Sequence, residues 1–216
     1  MTILEADSLG SHASGFAFGG LDPLTGVGIP YPLLEFSLWC YGRHRSLARE
    51  LHETTGIDVG FEFRDRLHLA FTEKEAAESK KNIEWMKQVG GFNVEWVDAK
   101  GALELEPQVN PECIGALFEQ SPGALEPYRF ILAAMRAGEN YGVELVQRRA
   151  TGLITDGDRC IGVQLENGTI NAGVVLLAMG PWTGLASEWC GVDIPVRPLR
   201  GQILRLRSAN KSLNMA

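Results

Sequence analysis

The spacing of apolar positions changes several times along the 216-residue chain, and each change marks an element. Thr2-Ile3-Leu4-Glu5 reads as the end of a buried parallel strand. Small residues then predict a loop over residues 8–15, and again at Gly19-Gly20. Leu33, Leu34, Leu38, Tyr41, Leu47 and Leu51 recur at helical spacing. Pro32 suits the first turn of that helix, Gly42 predicts a bend, and Gly56 predicts its end. Phe61-Glu62-Phe63 and Leu67-His68-Leu69-Ala70-Phe71 alternate as strands do. Thr72 and Glu75 form a capping-box pattern opening a charged helix that stops at Gly90-Gly91. Val94-Glu95-Trp96-Val97 predicts a short strand, and Asp98 predicts the cap of a brief helix ending before Pro107.

The last third is more strongly α/β. Pro127 opens a helix through Ile131, Leu132 and Met135 that ends at Gly142, and Val143-Glu144-Leu145-Val146 supplies the next strand. Asp156-Gly157-Asp158 and Glu166-Asn167-Gly168 are turn signals, so a β-meander is expected between them. Val174-Val175-Leu176-Leu177-Ala178 is a continuous apolar run, the pattern of a parallel strand buried on both faces. Ile203-Leu204-Arg205-Leu206-Arg207 alternates once more before a polar end.

Composition adds limits rather than detail. A formal charge of −7 argues against a nucleic-acid partner. No apolar run reaches the roughly 18 residues of a membrane-spanning helix. Met1 leads directly into Thr2-Ile3-Leu4-Glu5, without the basic start of a signal peptide. Cys40, Cys113, Cys160 and Cys190 are scattered with no Cys-x-x-Cys pair, which predicts free thiols, no zinc centre, no metal and a cytoplasmic location.

Four places could carry chemistry. Glu5, at a strand end, could accept both hydrogen bonds of a ribose diol, or be a solvated acid. Ala13-Ser14-Gly15 could let an anion approach the backbone, or form a plain loop. The turn Ala178-Met179-Gly180-Pro181-Trp182-Thr183, entering a helix, could hold a ligand or simply turn a structural corner. Arg200-Gly201-Gln202 could face an anion or lie in solvent. Of the histidines, His44, His52 and His68 are satisfied by surface or core roles, whereas His12 lies in the small-residue loop. There is no GxGxxG, P-loop, HExxH or GxSxG.

In order, these pieces resemble the FAD-dependent D-amino acid oxidase superfamily, in particular the branch with glycine oxidase and monomeric sarcosine oxidase. The resemblance rests on Ile3-Leu4-Glu5, Ala13-Ser14-Gly15, Gly19-Gly20, Gly142-Val143-Glu144-Leu145, Gly162-Val163 and Asn167-Gly168. It continues through Ala178-Met179-Gly180-Pro181-Trp182 and Pro195-Val196-Arg197-Pro198-Leu199-Arg200-Gly201-Gln202. It implies an α/β protein: an incomplete Rossmann-type FAD-binding domain over residues 1–56 and 126–197, with a discontinuous β-rich substrate domain over 57–125 and 198–216. It implies FAD as cofactor. Glu5 would hold the adenosine ribose, and Ser14 and Gly15 would lie by the pyrophosphate and flavin. Ala150 would contact adenine through its backbone. Ala178, Met179 and Gly180 would pass beside the cofactor with Trp182 packed nearby. His12, Arg200, Gly201 and Gln202 would lie on the flavin or substrate side. No catalytic residue is assigned.

The family's acid follows a glycine loop by about 20 residues, whereas Glu5 is the fifth residue here. The chain is therefore expected to be a fragment, lacking the glycine loop and the C-terminal part, and inactive with weak FAD binding by itself. The whole protein is expected to oxidise the C–N bond of a small amine or amino acid to an imine, reoxidised by molecular oxygen or an electron-transfer partner. The alternatives are dehydrogenation of a hydroxy acid or glycerol phosphate, and a non-catalytic remnant.

Overall fold

The computed structural model describes residues 1–26, 28–120 and 122–204. In chain order the elements are β1 (Thr2–Glu5), β2 (Gly20–Leu21), α1 (Leu34–Thr55), β3 (Glu62–Phe63), β4 (Arg66–Ala70), α2 (Glu73–Met86), β5 (Asn93–Asp98) and α3 (Ala99–Leu105). Then come β6 (Gly115–Gln120), β7 (Gly123–Ala124), α4 (Pro127–Asn140), β8 (Glu144–Gln147), β9 (Ala150–Asp156), β10 (Arg159–Leu165), β11 (Gly168–Asn171), a 3-10 helix (Gly180–Ala186) and α5 (Ser187–Cys190). The fold is mixed α/β. The described residues form two compact units, one of Met1–Phe16 with Met135–Leu204, the other of Ala17–Ala134. The units thus divide within α4 and just before β2, and α1 belongs to the second unit.

In the second unit, β6 lies between β4 and β5, antiparallel to both. The helix α2 covers this sheet: Ile83 and Met86 pack with Leu24, Val94 and Leu117, flanked by Leu34, Leu38, Trp85 and Trp96. A smaller cluster of Ala102, Cys113 and Ala116 lies under α3. The helix α1 runs unbroken through Gly42 for 22 residues, so the expected bend is absent. One interior glycine costs a helix about 1 kcal/mol, too little to interrupt a segment fixed by packing at Ala48 and Leu51.

The helix α2 starts at the expected capping box. Thr72 Oγ1 accepts the Glu75 N–H at 3.2 Å, and Glu75 Oε2 accepts the N–H groups of Phe71 and Thr72 at 2.8 and 3.0 Å. The Phe71 N–H is the main cause holding the Glu75 carboxyl below its ordinary 4.5; burial opposes it and Thr72 adds to it. A depressed carboxylate stabilises the fold above its unfolded value and loses that contribution as pH falls through the folded value. Thr72→Ala is expected to lower stability by about 1 kcal/mol in denaturant unfolding. As pH falls through the folded value of Glu75, which lies below its ordinary 4.5, the difference between Thr72→Ala and wild type should narrow.

In the first unit, β1 pairs with β8 in parallel, Thr2 opposite Glu144 and Glu5 opposite Gln147. Neither face of β1 is fully covered, and Ile3 is exposed, which corrects the expectation of a buried strand. The meander β9–β10–β11 forms as expected, turning at Gly157 and Gly168. At the end of α4, Val143 N–H donates to Gly138 O and Gly142 N–H to Glu139 O, closing the helix with a left-handed Gly142.

The largest correction concerns residues 174–178. They lie in no assigned element and pair with no strand among the described residues, and Val174 and Leu176 are 88% and 86% exposed. An apolar run specifies burial only where another surface covers it, and ladder hydrogen bonds need a neighbour. The segment beyond it enters a 3-10 helix, not a long α-helix. Of the alternating run at 203–207, Ile203 and Leu204 lie in no assigned strand, and 205–207 lie outside the described residues.

Candidate functional site

The parallel pair β1–β8 brings Glu5 and Gln147 to the same sheet end, the carboxyl end of both strands. Ligands of parallel α/β sheets bind outside that end because loops there are free to vary while the strands fix their roots. Glu5 Oε1 accepts the Asp7 N–H at 3.0 Å, which turns the chain away from β1 and orients the carboxylate. No other hydrogen bond to Glu5 occurs among the described residues, so Oε2 keeps its acceptor capacity.

From Asp7 a chain of polar contacts crosses the first unit. His12 Nε2 lies 2.7 Å from Asp7 Oδ2, and an Arg149 guanidinium nitrogen lies 3.8 Å from the same oxygen. Arg149 Nε in turn lies 3.7 Å from Glu166 Oε1. The His12 ring meets Trp182 edge-on, with centroids 4.8 Å apart. Beside these residues opens a cleft of about 380 Å³ lined by Ala6, Gln147, Arg148, Arg149, Glu166 and Asn167. Its volume is that of a small-ligand site.

The loop after Asp7 is wound tightly on itself. Ser11 N–H donates to Ser8 O, and the N–H groups of Gly15 and Phe16 both donate to His12 O. Gly15 is buried, and a Cβ there would lie 1.9 Å from Gly10 O, so only glycine allows this closure. Ser14 is exposed beside it. Ala150 opens β9 opposite Leu165, next to Arg149 of the cleft. Met179 caps the 3-10 helix, accepting the Trp182 N–H, and Gly180 O accepts the Thr183 hydroxyl. Ala178 and Gly180 are exposed. Arg200, Gly201 and Gln202 are exposed in no assigned element and make no hydrogen bond among the described residues.

The structure therefore gathers Glu5, His12 and Trp182, with Ala150 near the cleft, and leaves Arg200, Gly201 and Gln202 apart from any recorded contact. Sequence reasoning missed Asp7, Arg149 and Glu166. Asp7 carried a local signal, an acid two residues past the strand end. Arg149 and Glu166 carried none, because the meander that brings them together is a tertiary fact.

The arrangement fits the adenosine end of a dinucleotide. A carboxylate with a free oxygen suits a vicinal diol, and the adjoining cleft mixes amide, guanidinium and carboxylate groups. The N–H groups of Gly15 and Phe16 already donate within the loop, so they offer no further donor to a phosphate.

The whole chain, residues 1–216, matches the family described as FAD dependent oxidoreductase (DAO). It is 27% identical over 209 residues to glycine oxidase of Geobacillus kaustophilus, covering 96% of this chain and 55% of that protein. It is 28% identical over 183 residues to sarcosine oxidase subunit beta of an Arthrobacter species, covering 81% and 45%. The crystal structure of the Geobacillus glycine oxidase superposes with a TM-score of 0.85, over 91% of this chain and 53% of that one. The chain thus spans about half the length of the curated relatives it matches. By this match along its entire length, the chain belongs to the DAO family of FAD-dependent oxidoreductases.

Proposed function

We propose that the protein oxidises the C–N bond of a small amine or amino acid of the glycine, sarcosine or D-amino acid type. The observation that carries this reading is Glu5 at the carboxyl end of β1, beside a cleft of nucleoside size, in a chain of this family. The names of the glycine and sarcosine oxidases it resembles support the substrate class. FAD would supply the redox chemistry, taking a hydride from the substrate and passing its electrons to molecular oxygen or an electron-transfer partner. The substrate, having also lost a proton, becomes an imine that water hydrolyses.

This chain's own residues bind and orient. Glu5 holds the ribose diol through Oε2, while Asp7 keeps its carboxylate in place. Trp182 and His12 pack as one unit beside the loop, with Ser14 and Gly15 toward the pyrophosphate and Ala178, Met179 and Gly180 alongside the cofactor. The unit of Met1–Phe16 and Met135–Leu204 serves the nucleotide, and the other serves the substrate. Arg200, Gly201 and Gln202 lead toward the flavin side. The four free cysteines support a reducing, cytoplasmic setting, and no helix among the described residues is long and apolar enough to cross a membrane.

The test is to purify the full-length protein, record its flavin spectrum, and follow flavin bleaching with glycine, sarcosine, D-alanine, L-proline and glycerol 3-phosphate. A yellow protein bleached by one or more of the amines is expected. Bleaching by glycerol 3-phosphate alone, or a colourless folded protein that takes up no FAD, would overturn the proposal.

A further inference from the structure

A second constellation lies in the unit of Ala17–Ala134, and the flavin reading makes no use of it. Arg66 and Glu119 are direct cross-strand partners on β4 and β6, and His68 is two residues along the same face as Arg66. Asp22, just after β2, closes the group. One donor atom each from Asp22, His68 and Glu119 lie within 4.8 Å of one another.

The partners of these atoms are the unusual feature. Glu119 is 1% exposed, and neither of its carboxylate oxygens accepts a hydrogen bond from the described residues. Asp22 Oδ1 and His68 Nε2 are likewise buried and unpartnered. A buried carboxylate without a donor is strongly disfavoured in an apolar core. Here two carboxylates face one guanidinium, since Arg66 pairs with the other oxygen of Asp22. With a neutral imidazole the group carries one uncompensated negative charge, and its free lone pairs converge on one small volume.

A proton shared between His68 and Glu119 does not close this gap, because Nε2 and Oε2 are 3.8 Å apart, beyond hydrogen-bond reach. A metal ion with bonds of about 2.0–2.2 Å spans donors about 3–4 Å apart, so the widest of these separations, up to 4.8 Å, needs to close by about 1–2 Å. Two carboxylate oxygens and an imidazole nitrogen form a borderline donor set, suited to zinc and its first-row neighbours more than to calcium or magnesium. The Arg66 contact would act from the outer shell, fixing which Asp22 oxygen points inward. The geometry points to a divalent transition-metal site formed by Asp22, His68 and Glu119, taking Zn²⁺ or a similar ion.

The site is tested on the chelator-treated, full-length protein by calorimetric titration with Zn²⁺ and by the visible bands of bound Co²⁺. One ion per chain is expected at this site, with a rise in melting temperature on adding Zn²⁺. His68→Ala and Glu119→Gln should each weaken binding by at least about tenfold and remove the rise, while His52→Ala on exposed α1 should not. Circular dichroism establishes that each variant is folded. His68 is the safer substitution, because its side chain is partly exposed, whereas that of Glu119 lies in the core. Absence of binding in the folded wild-type protein would overturn the proposal, as would binding that His68→Ala leaves unchanged. Flavin content and amine turnover are measured separately, so failure of this site and failure of the oxidase reading are distinguishable.

Discussion

Glu5→Ala is expected to weaken FAD binding by about 100-fold or more while leaving FMN binding unchanged. A carboxylate at the end of β1 that receives both hydroxyls of a ribose forms two charge-assisted hydrogen bonds. Each is worth about 1.5–3 kcal/mol, so losing the pair costs on the order of 3–6 kcal/mol, or two to four decades in Kd. FMN has no adenosine and never meets Glu5, which makes it the internal control for damage elsewhere. Glu5→Gln separates two roles of the side chain. Its amide oxygen still accepts the Asp7 N–H, so the turn into the following loop survives, but it lacks the anionic acceptors. Its FAD affinity should fall between those of wild type and Glu5→Ala. Both are read by flavin fluorescence quenching in titrations of the apoprotein. If Glu5→Ala binds FAD as wild type does, the ribose lies elsewhere and the cleft beside Gln147 and Arg149 is not the nucleoside site.

Gly115→Ala is expected to destabilise the second unit by on the order of 3–5 kcal/mol, a loss that single substitutions reach only through strain or core disruption. Gly115 opens β6 with φ at +156°, in a conformation that side chains rarely adopt. A Cβ there would lie 2.3 Å from the Trp96 ring and 2.6 Å from Val97 O. The ring could turn aside, but the carbonyl belongs to β5, whose ladder with β6 fixes it opposite Ala116. Relief therefore means separating the two strands beside the cluster of Ala102, Cys113 and Ala116. Gly42→Ala provides the contrast: no atom lies within 4 Å of its Cβ position, and the exchange should stabilise α1 by up to about 1 kcal/mol. Denaturant unfolding of both variants checks the pair, and a Gly115→Ala midpoint equal to wild type would show that the strand edge yields without cost.

The features legible in the sequence were those set by neighbouring residues. Thr72 with Glu75 fixes the start of α2, Asp98 caps α3 through the Gly101 N–H, and Gly157 and Gly168 turn the meander. Each involves a backbone group within a few residues, so periodicity and turn chemistry suffice to place it. Residues 174–178 were misread because apolar content does not say what covers it. Glu5 could be singled out because a strand end and an acid are adjacent in sequence. Arg149 and Glu166 could not, nor could Asp22, His68 and Glu119, whose proximity exists only once β2, β4 and β6 are assembled.

The order of strands in the second unit governs when that assembly can occur. The central strand, β6, is the last of its sheet to be synthesised, and β4 and β5 have no ladder partner before it. At about 5–20 residues per second the ribosome needs seconds to pass from Arg66 to Glu119. During that interval two strand edges and the apolar face of α2 must be kept from other chains. When β6 emerges it joins both at once and carries Glu119 into contact with His68. In this unit the delay that exposes the nascent chain to aggregation therefore ends in the same event that brings Glu119 to His68.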